Sequence, residues 1–195
     1  MPFTLVAPVE FVQDIKKSRF IAQAAPIASE EDAKAFLASV SDPAANHNCW
    51  AWRIGQAYRF SDDGEPSGTA GKPILQAVDG QDLDGIVVIV TRFFGGILLG
   101  SGGLMRAYGG TAAQMLRSAD KREIIPMVTG ESSVSFSDLA LVKSRLAAIP
   151  HLTFVESFTA EGVDLTVTLR HGDEHQAIRL VRDLTSGRSS LVFPD

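Results

Sequence analysis

The strongest chemical signal in the sequence is a glycine-rich segment with arginines near it. Seven of the 17 glycines lie between positions 95 and 110, and Arg92 and Arg106 flank the first part of this run. Glycine permits positive φ angles and close approach of the backbone to another group. Several N–H groups ahead of a helix form a concave site that attracts anions. The segment therefore predicts a turn that binds phosphate or another anion.

Tight packing is the other explanation for these glycines, and both remain open at this stage. Gly109-Gly110 within a predicted helix favours a second element crossing very close by. No G-x-G-x-x-G motif is present, and Pro73 follows Lys72 where a P-loop has Ser or Thr, so nucleotide hydrolysis is not predicted. The predicted anion or nucleic-acid contacts are Arg92, Gly95, Gly96, Gly100, Gly102, Gly103, Arg106 and Lys72.

An acidic turn, Asp62-Asp63-Gly64-Glu65-Pro66, is the second candidate. Its carboxylates could bind a cation or act as acid and base. A solvated turn in which Asp side chains bond their own backbone is the more common use of such a sequence, and we favour it. No catalytic residue is predicted. The secondary candidates for the site are His47, Arg53, Arg59, Asp63 and Glu65.

A third cluster combines His47, Cys49, Trp50 and Trp52 on one predicted strand. No second cysteine is present and no second histidine lies nearby in sequence, so we predict neither a metal site nor a cofactor, and Cys49 is expected to be a buried apolar side chain. The two tryptophans share one face of the strand. They pack beneath a helix, which is the favoured interpretation, or form a stacking platform for bases.

The elements that must position these residues predict an α+β protein with two domains, 1–126 and 131–195, joined by a linker. A strand over 84–94 is apolar on both faces, which is typical of a central strand covered by helices. It leads through the glycine-rich segment into a helix over about 103–119. After the linker, the order strand, helix, strand, strand, helix, strand predicts a ferredoxin-like βαββαβ domain.

Composition restricts the function classes. The net charge is −5, so any nucleic-acid binding must come from a local patch rather than a broadly basic surface. No apolar stretch is long enough for a membrane helix, and the first residues do not resemble a secretory signal. A single cysteine fits a reducing compartment. We expect a cytoplasmic protein without membrane contacts.

Four motifs, taken together and in this order, resemble the YigZ/IMPACT family. The motifs are Ser18–Ile21 (SRFI), His47–Ala51 (HNCWA), Phe60–Pro73 (FSDDGEPSGTAGKP) and Thr91–Leu104 (TRFFGGILLGSGGL). The resemblance extends over essentially the whole chain and is strongest through about residue 125. It implies an N-terminal domain similar to the second domain of ribosomal protein S5. The ferredoxin-like C-terminal domain would resemble one in translation elongation factor G.

The resemblance also implies a role in translation. Eukaryotic IMPACT proteins prevent activation of an initiation-factor kinase by competing for its activator, and they carry an additional N-terminal domain. This sequence begins directly at the shared domain, so we do not expect that partner. Some members have a lysine at the position of Leu98, and its absence here lowers the expected phosphate affinity.

The leading hypothesis is a non-enzymatic, translation-associated protein whose cations converge on the glycine-rich segment to bind RNA, DNA or the ribosome. An alternative is an enzyme acting on a small anionic substrate, with Asp63 or Glu65 as acid and base. It requires a cleft that brings the acidic turn within hydrogen-bond reach of Arg92 or His47. The third hypothesis is a module that binds a protein partner through the ferredoxin-like sheet.

Overall fold

The computed structural model describes residues 2–194 and divides into two compact units, Met1–Ile124 and Ile125–Asp195. The described residues mix helices and strands, so the predicted α+β class is confirmed. The five helices are α1 (Glu30–Val40), α2 (Gly71–Asp79), α3 (Ser101–Ser118), α4 (Phe136–Leu146) and α5 (Glu174–Leu184). The ten strands are β1 (Phe3–Leu5), β2 (Val9–Ile15), β3 (Ser18–Pro26), β4 (His47–Ile54), β5 (Ala57–Ser61), β6 (Ile86–Phe93), β7 (Lys121–Glu123), β8 (Met127–Val134), β9 (Thr153–Phe158) and β10 (Val163–Arg170).

One antiparallel sheet organises the N-terminal unit, with strand order β2-β3-β6-β4-β5. The central strand β6 is buried from Ile86 to Arg92, as predicted from its apolar residues on both faces. The register places His47 of β4 and Phe20 of β3 directly opposite Arg92. Directly opposed residues of an antiparallel pair project from the same face. The sheet therefore brings His47 and Arg92 to one end of one face.

Helices cover both faces of this sheet. On the face that carries Phe20, α2 and α3 bury the larger core, and the Phe20 and Tyr108 rings meet edge to face at 5.3 Å. On the opposite face α1 packs its buried Ala33 against Trp52, with Trp50 beside it. Both tryptophans therefore belong to a core. This confirms the favoured interpretation and contradicts the stacking platform, because α1 occupies the face on which a base would lie.

Helices α2 and α3 pack closely at Gly109. A Cβ built there would lie 3.3 Å from the Cβ and the carbonyl oxygen of Pro73. The predicted close crossing is therefore confirmed at Gly109. It does not extend to Gly110, where an added Cβ would meet no atom within 4 Å.

The C-terminal unit has a three-stranded antiparallel sheet in the order β8-β10-β9. Helices α4 and α5 bury their apolar faces against one side of it. Val192 exchanges two backbone hydrogen bonds with Glu131 of β8, which places the end of the chain beside the first strand. This connectivity is the predicted ferredoxin-like arrangement. The expected final strand over 189–193 is reduced to that single bridge.

The predicted linker over 126–131 is instead the start of strand β8. Its glycine, Gly130, is needed for close packing, since a Cβ there would lie 2.7 Å from the ring of Phe193 and from the backbone oxygen of Val192. Likeness of the N-terminal unit to the second domain of ribosomal protein S5 stays a prediction. Across residues 2–194, no helix has the length and apolar content needed to cross a bilayer.

Candidate functional site

The acidic turn between β5 and α2 is held by its own first carboxylate. Asp62 accepts hydrogen bonds from the backbone N–H groups of Gly68, Ala70 and Gly71, at 2.8, 3.0 and 2.9 Å. Two of these groups belong to the start of α2, where unpaired N–H donors need an acceptor. Asp62 therefore caps this helix. Gly71 is required next to it, because a Cβ would lie 2.6 Å from the Ser61 carbonyl oxygen.

Asp63 joins the turn to strand β4. Its carboxylate accepts a hydrogen bond from the backbone N–H of Asn48 at 2.6 Å, and its carbonyl oxygen lies 2.7 Å from Nδ1 of His47. A carbonyl oxygen only accepts, so Nδ1 of His47 carries a proton in this arrangement. In the neutral imidazole, Nε2 is then an acceptor. Asp63 orients His47 through its backbone oxygen, and its carboxylate links the acidic turn to strand β4.

A buried ion pair lies at the centre of the site. Arg92 Nη1 donates to Glu65 Oε1 at 2.6 Å, and the two side chains are only 6% and 4% exposed. Tyr108 donates its hydroxyl proton to the same oxygen at 2.7 Å. The Arg92 guanidinium also lies about 5.5 Å from the centres of the Phe20 and Phe94 rings. The sequence predicted Arg92 as a phosphate contact, whereas Glu65 already balances its charge.

His47 completes this cluster, since its Nε2 lies 3.8 Å from Glu65 Oε1. The acidic turn thus reaches both Arg92 and His47 through Glu65, which is the proximity that the enzyme hypothesis requires. A cavity of about 440 Å³ opens onto these three side chains, and we call it the Glu65 cavity. Its lining residues are Asn46, His47, Glu65, Pro66, Arg92, Phe94, Leu98, Leu99, Gly100, Ser101 and Leu104.

Lys72 and Arg106 line a separate concavity of about 540 Å³ between helices α2 and α3, which we call the α2–α3 groove. Both side chains are exposed, and within residues 2–194 neither forms an ion pair. Gly68, Gly109 and Gly110 also line this groove. The predicted convergence of Arg92 with Lys72 and Arg106 is therefore wrong. Arg92 projects from the sheet into the Glu65 cavity, whereas the other two lie on the outer surface of the helices.

The glycines of the predicted anion-binding turn have different roles. Gly96 and Gly100 have positive φ angles of 86° and 70°, and Gly100 lies at the mouth of the Glu65 cavity immediately before α3. A Cβ at Gly95 would overlap the Lys17 carbonyl oxygen, and one at Gly103 would lie 3.0 Å from the Leu99 Cβ. Gly102 lies beneath the Arg106 guanidinium, 3.6 Å from the position of a Cβ.

Two of the secondary candidates lie away from both concavities. Arg53 is at the opposite end of β4 from His47 and pairs with Asp79 at 2.7 Å. Arg59 on β5 pairs with Glu30 of α1 at 3.1 Å. The sequence places them near the acidic turn, but the strands carry them elsewhere, so neither belongs to the site.

The sequence comparisons agree with this architecture. The model of the Impact N-terminal domain matches residues 16–116. A Thermus thermophilus protein described as "IMPACT family member in pol 5'region" is 48% identical over 175 residues, covering 89% of this chain and 97% of that protein. The chain belongs to the IMPACT family. The family member YigZ of Escherichia coli is 44% identical over 147 residues, or 72% of each chain.

A solved structure has the same fold. The crystal structure of a hypothetical protein superimposes with a TM-score of 0.74 at 36% identity, covering 99% of this chain and 97% of that one. Most of the residues that line the Glu65 cavity lie within the four IMPACT-family motifs. His47, Glu65 and Arg92 each fall within a different motif, and the fold brings the three to the same cavity.

Tyr108 is a member of this cluster that the sequence patterns of this IMPACT-family chain do not predict. Its place on the apolar stripe of α3 indicated only core packing. A buried tyrosine hydroxyl needs a hydrogen-bond partner, and that requirement was the available signal for a buried acceptor such as Glu65. Burial raises the pKa of the Tyr108 phenol well above its ordinary value. The hydroxyl therefore stays a donor to Glu65 throughout the neutral range.

Cys49 is a buried thiol that donates to the Asp62 carbonyl oxygen at 3.0 Å. Burial raises its pKa to about 12, so only about one molecule in ten thousand carries the thiolate near pH 8. We expect an aromatic disulfide reagent to modify Cys49 at least about a hundredfold more slowly in the native protein than in denaturant. Absorbance of the released thiol measures this rate. Rapid modification while tryptophan fluorescence stays native would contradict the burial.

Proposed function

We propose that this IMPACT-family chain is a cytoplasmic, translation-associated protein that binds RNA through phosphate contacts in the α2–α3 groove, without catalysing a reaction. The observation that carries the proposal is the exposed pair Lys72 and Arg106 lining one groove, with no acidic partner within residues 2–194. Cations left unpaired in an acidic chain are available to phosphate oxygens. Family membership supports the link to translation.

The backbone of the groove supports the same ligand. Gly110 lies on the floor of the groove, where an added Cβ would meet no atom within 4 Å. A polynucleotide backbone can therefore approach the helix closely at this point. Along α3, Arg106, Gly110, Ala113 and Arg117 follow the spacing of one helix face, which adds a third exposed cation one turn beyond the groove.

Binding of this kind depends strongly on salt. The chain has a net charge of −5, so attraction to RNA arises locally from a few cations. Each neutralised phosphate of a single strand contributes about −0.7 to the slope of log K against log salt concentration. Two or three contacts therefore give a slope of about −1.4 to −2. Fluorescence anisotropy of a labelled single-stranded RNA at several salt concentrations measures this slope.

The double variant Lys72→Ala/Arg106→Ala tests the proposal. We expect it to weaken RNA binding by about tenfold or more at low salt and to reduce the slope by about 1.4, because two phosphate contacts are lost. A matched control is Lys34→Ala/Arg59→Ala, which removes the same charge from two cations that both pair with Glu30. Equal binding by the two double variants would contradict the proposal.

Parallel titrations with duplex DNA and with purified ribosomes identify the form of nucleic acid that is preferred. Tighter binding to single-stranded RNA or to ribosomes than to duplex DNA is expected from a link to translation. If duplex DNA binds best and the Lys72→Ala/Arg106→Ala variant loses that binding, the groove is confirmed as a phosphate site but the assignment to RNA is wrong.

A further inference from the structure

The Glu65 cavity combines an apolar end with a polar end. Phe94, Leu98, Leu99 and Leu104 provide much of its apolar wall. Leu98 is 84% exposed and Phe94 is 44% exposed, so hydrophobic side chains face solvent at the opening. Ligand sites are concave, mostly apolar and fitted with a few placed polar groups, with volumes of about 300–1,000 Å³. At about 440 Å³ this cavity suits a single small ring system.

The polar end offers hydrogen-bond acceptors. An ionised carboxylate accepts only, through about four lone-pair positions. Arg92 and Tyr108 both donate to Oε1 of Glu65, which leaves Oε2 to accept from a ligand. His47 Nδ1 is engaged with the Asp63 carbonyl oxygen, so its Nε2 is a second acceptor, 3.8 Å from Glu65 Oε1. Two neighbouring acceptors require a ligand with two neighbouring donors.

One donor accompanies these acceptors. The side-chain oxygen of Asn46 accepts a hydrogen bond from the backbone N–H of Phe94 at 2.8 Å. This bond fixes the orientation of the amide, so its NH₂ group is the part of Asn46 that can donate to a ligand. Because Asn46 lines the same cavity as Glu65 and His47, the polar end can satisfy a ligand that carries an acceptor beside two donors.

Only one common nucleobase has that edge. Guanine presents its N1–H and its exocyclic amino group side by side, with the O6 acceptor next to them. Adenine and cytosine place a ring nitrogen acceptor beside their amino group, and uracil has a single N–H between two carbonyl groups. Each of these bases would direct a lone pair, instead of a donor, at one of the two acceptors.

We propose that the Glu65 cavity binds a guanine base, which donates from its N1–H and amino groups to Glu65 and His47 while its ring lies against Phe94. The base can come from a free nucleoside or from an unstacked position in RNA. The second source rests on the proposed RNA binding, whereas recognition of the base itself does not. The buried contact with Arg92 then holds the Glu65 carboxylate in place.

Calorimetric titration of the full chain with guanosine, inosine and adenosine tests the recognition. Inosine keeps N1–H and O6 but lacks the amino group. We expect guanosine to bind about tenfold more tightly than inosine and at least about a hundredfold more tightly than adenosine, because each mismatched edge leaves an acceptor without its donor. Binding of adenosine as tight as that of guanosine would overturn the proposal.

A matched pair of variants tests whether the base lies in the cavity, and both variants keep Arg92 and Glu65. Phe94→Ala removes the ring from the cavity wall and should weaken guanosine binding by about tenfold or more. Ile97→Ala removes a side chain that is 39% exposed on the same loop and does not line the cavity, so it should leave binding unchanged. Equal effects of the two variants would show that guanosine binds elsewhere.

Short cytidine oligonucleotides with and without a single guanosine separate the two proposals. If both bind equally, Lys72→Ala/Arg106→Ala weakens both and guanosine alone does not bind, the groove binds RNA and the guanine site is wrong. If guanosine binds to the cavity but neither oligonucleotide binds, the guanine site stands and the RNA proposal is wrong. A preference for the guanosine-containing strand that Phe94→Ala abolishes supports the guanine site in RNA.

Discussion

Replacing Arg92 with methionine is expected to lower the free energy of unfolding of the N-terminal unit by about 3–5 kcal/mol. The substitution keeps an apolar stem of similar length but leaves the Glu65 carboxylate buried without its cation. Glu65 is only 4% exposed on its side chain, so solvent compensates for little of the lost charge. Breaking one side of a buried pair is costly for this reason, even though the intact pair itself contributes little net stability.

Denaturant titration, followed by tryptophan fluorescence, reports on the unfolding of the N-terminal unit. The chain has two tryptophans, Trp50 and Trp52, and both lie in the N-terminal unit. Arg59→Met is the matched control, because Arg59 forms its ion pair with Glu30 at the surface, where the Arg59 side chain is 65% exposed. Exposed pairs contribute about 0–1 kcal/mol. A loss for Arg92→Met no greater than that for Arg59→Met would contradict the buried pair.

The double variant Arg92→Met/Glu65→Gln distinguishes the energy of the ion pair from the energy of packing the Arg92 side chain. Replacing both partners leaves no buried charge, and the glutamine can still accept from Tyr108. We therefore expect the double variant to be more stable than Arg92→Met alone, which gives a coupling energy of about 1–3 kcal/mol in a double-mutant cycle. Additive losses would mean that Arg92 stabilises the fold by packing between Phe20 and Phe94 alone.

Much of the fold could be predicted because local patterns determine it. The central strand β6 is apolar on both faces, and β3 alternates between buried and less buried residues from Ser18 to Ala24. The start of α1 follows from Ser29, whose side chain accepts from the Asp32 backbone N–H while the Asp32 carboxylate accepts from the Ser29 backbone N–H. Each of these signals lies within a few residues of the structure that it specifies.

The site could be predicted only in part because its contacts are distant in sequence. Glu65 meets Arg92 across 27 residues and Tyr108 across 43, and His47 lies beside Arg92 only through the register of β4 on β6. Single-sequence patterns contain no information about such pairings, so they do not separate Arg92 from Lys72 and Arg106. The family motifs identify segments that line the Glu65 cavity without specifying which side chains meet.

The roles of individual glycines also depend on contacts that the sequence does not contain. Seven glycines between positions 95 and 110 predicted one anion-binding turn. In the structure Gly95 lies against the β2–β3 turn, Gly100 has a positive φ before α3, and Gly109 allows α2 to cross α3. Sequence alone cannot distinguish these uses, because each depends on which atom lies where the Cβ would be.

Replacing Gly95 with alanine is expected to destabilise the N-terminal unit by about 3 kcal/mol. An added Cβ would overlap the carbonyl oxygen of Lys17 and lie 2.6 Å from the backbone nitrogen of Ser18. These are backbone atoms of the β2–β3 turn, so rotation of a side chain cannot relieve the clash. Lys16 and Lys17 of this turn both have positive φ angles. The turn must shift, and the hydrogen bond from Gly95 N–H to Ser18 Oγ is lost with it.

Gly110→Ala provides the matched control within the same glycine-rich segment. An added Cβ there meets no atom within 4 Å, and alanine is favoured over glycine within a helix by up to about 1 kcal/mol. We therefore expect opposite signs from the same chemical change, with Gly95→Ala less stable and Gly110→Ala slightly more stable than the parent by tryptophan fluorescence. Gly110 also lines the α2–α3 groove. If Gly110→Ala is more stable than the parent but binds RNA less tightly, the added methyl group blocks the approach of RNA to the helix backbone. The loss of binding would then not result from a weakened fold.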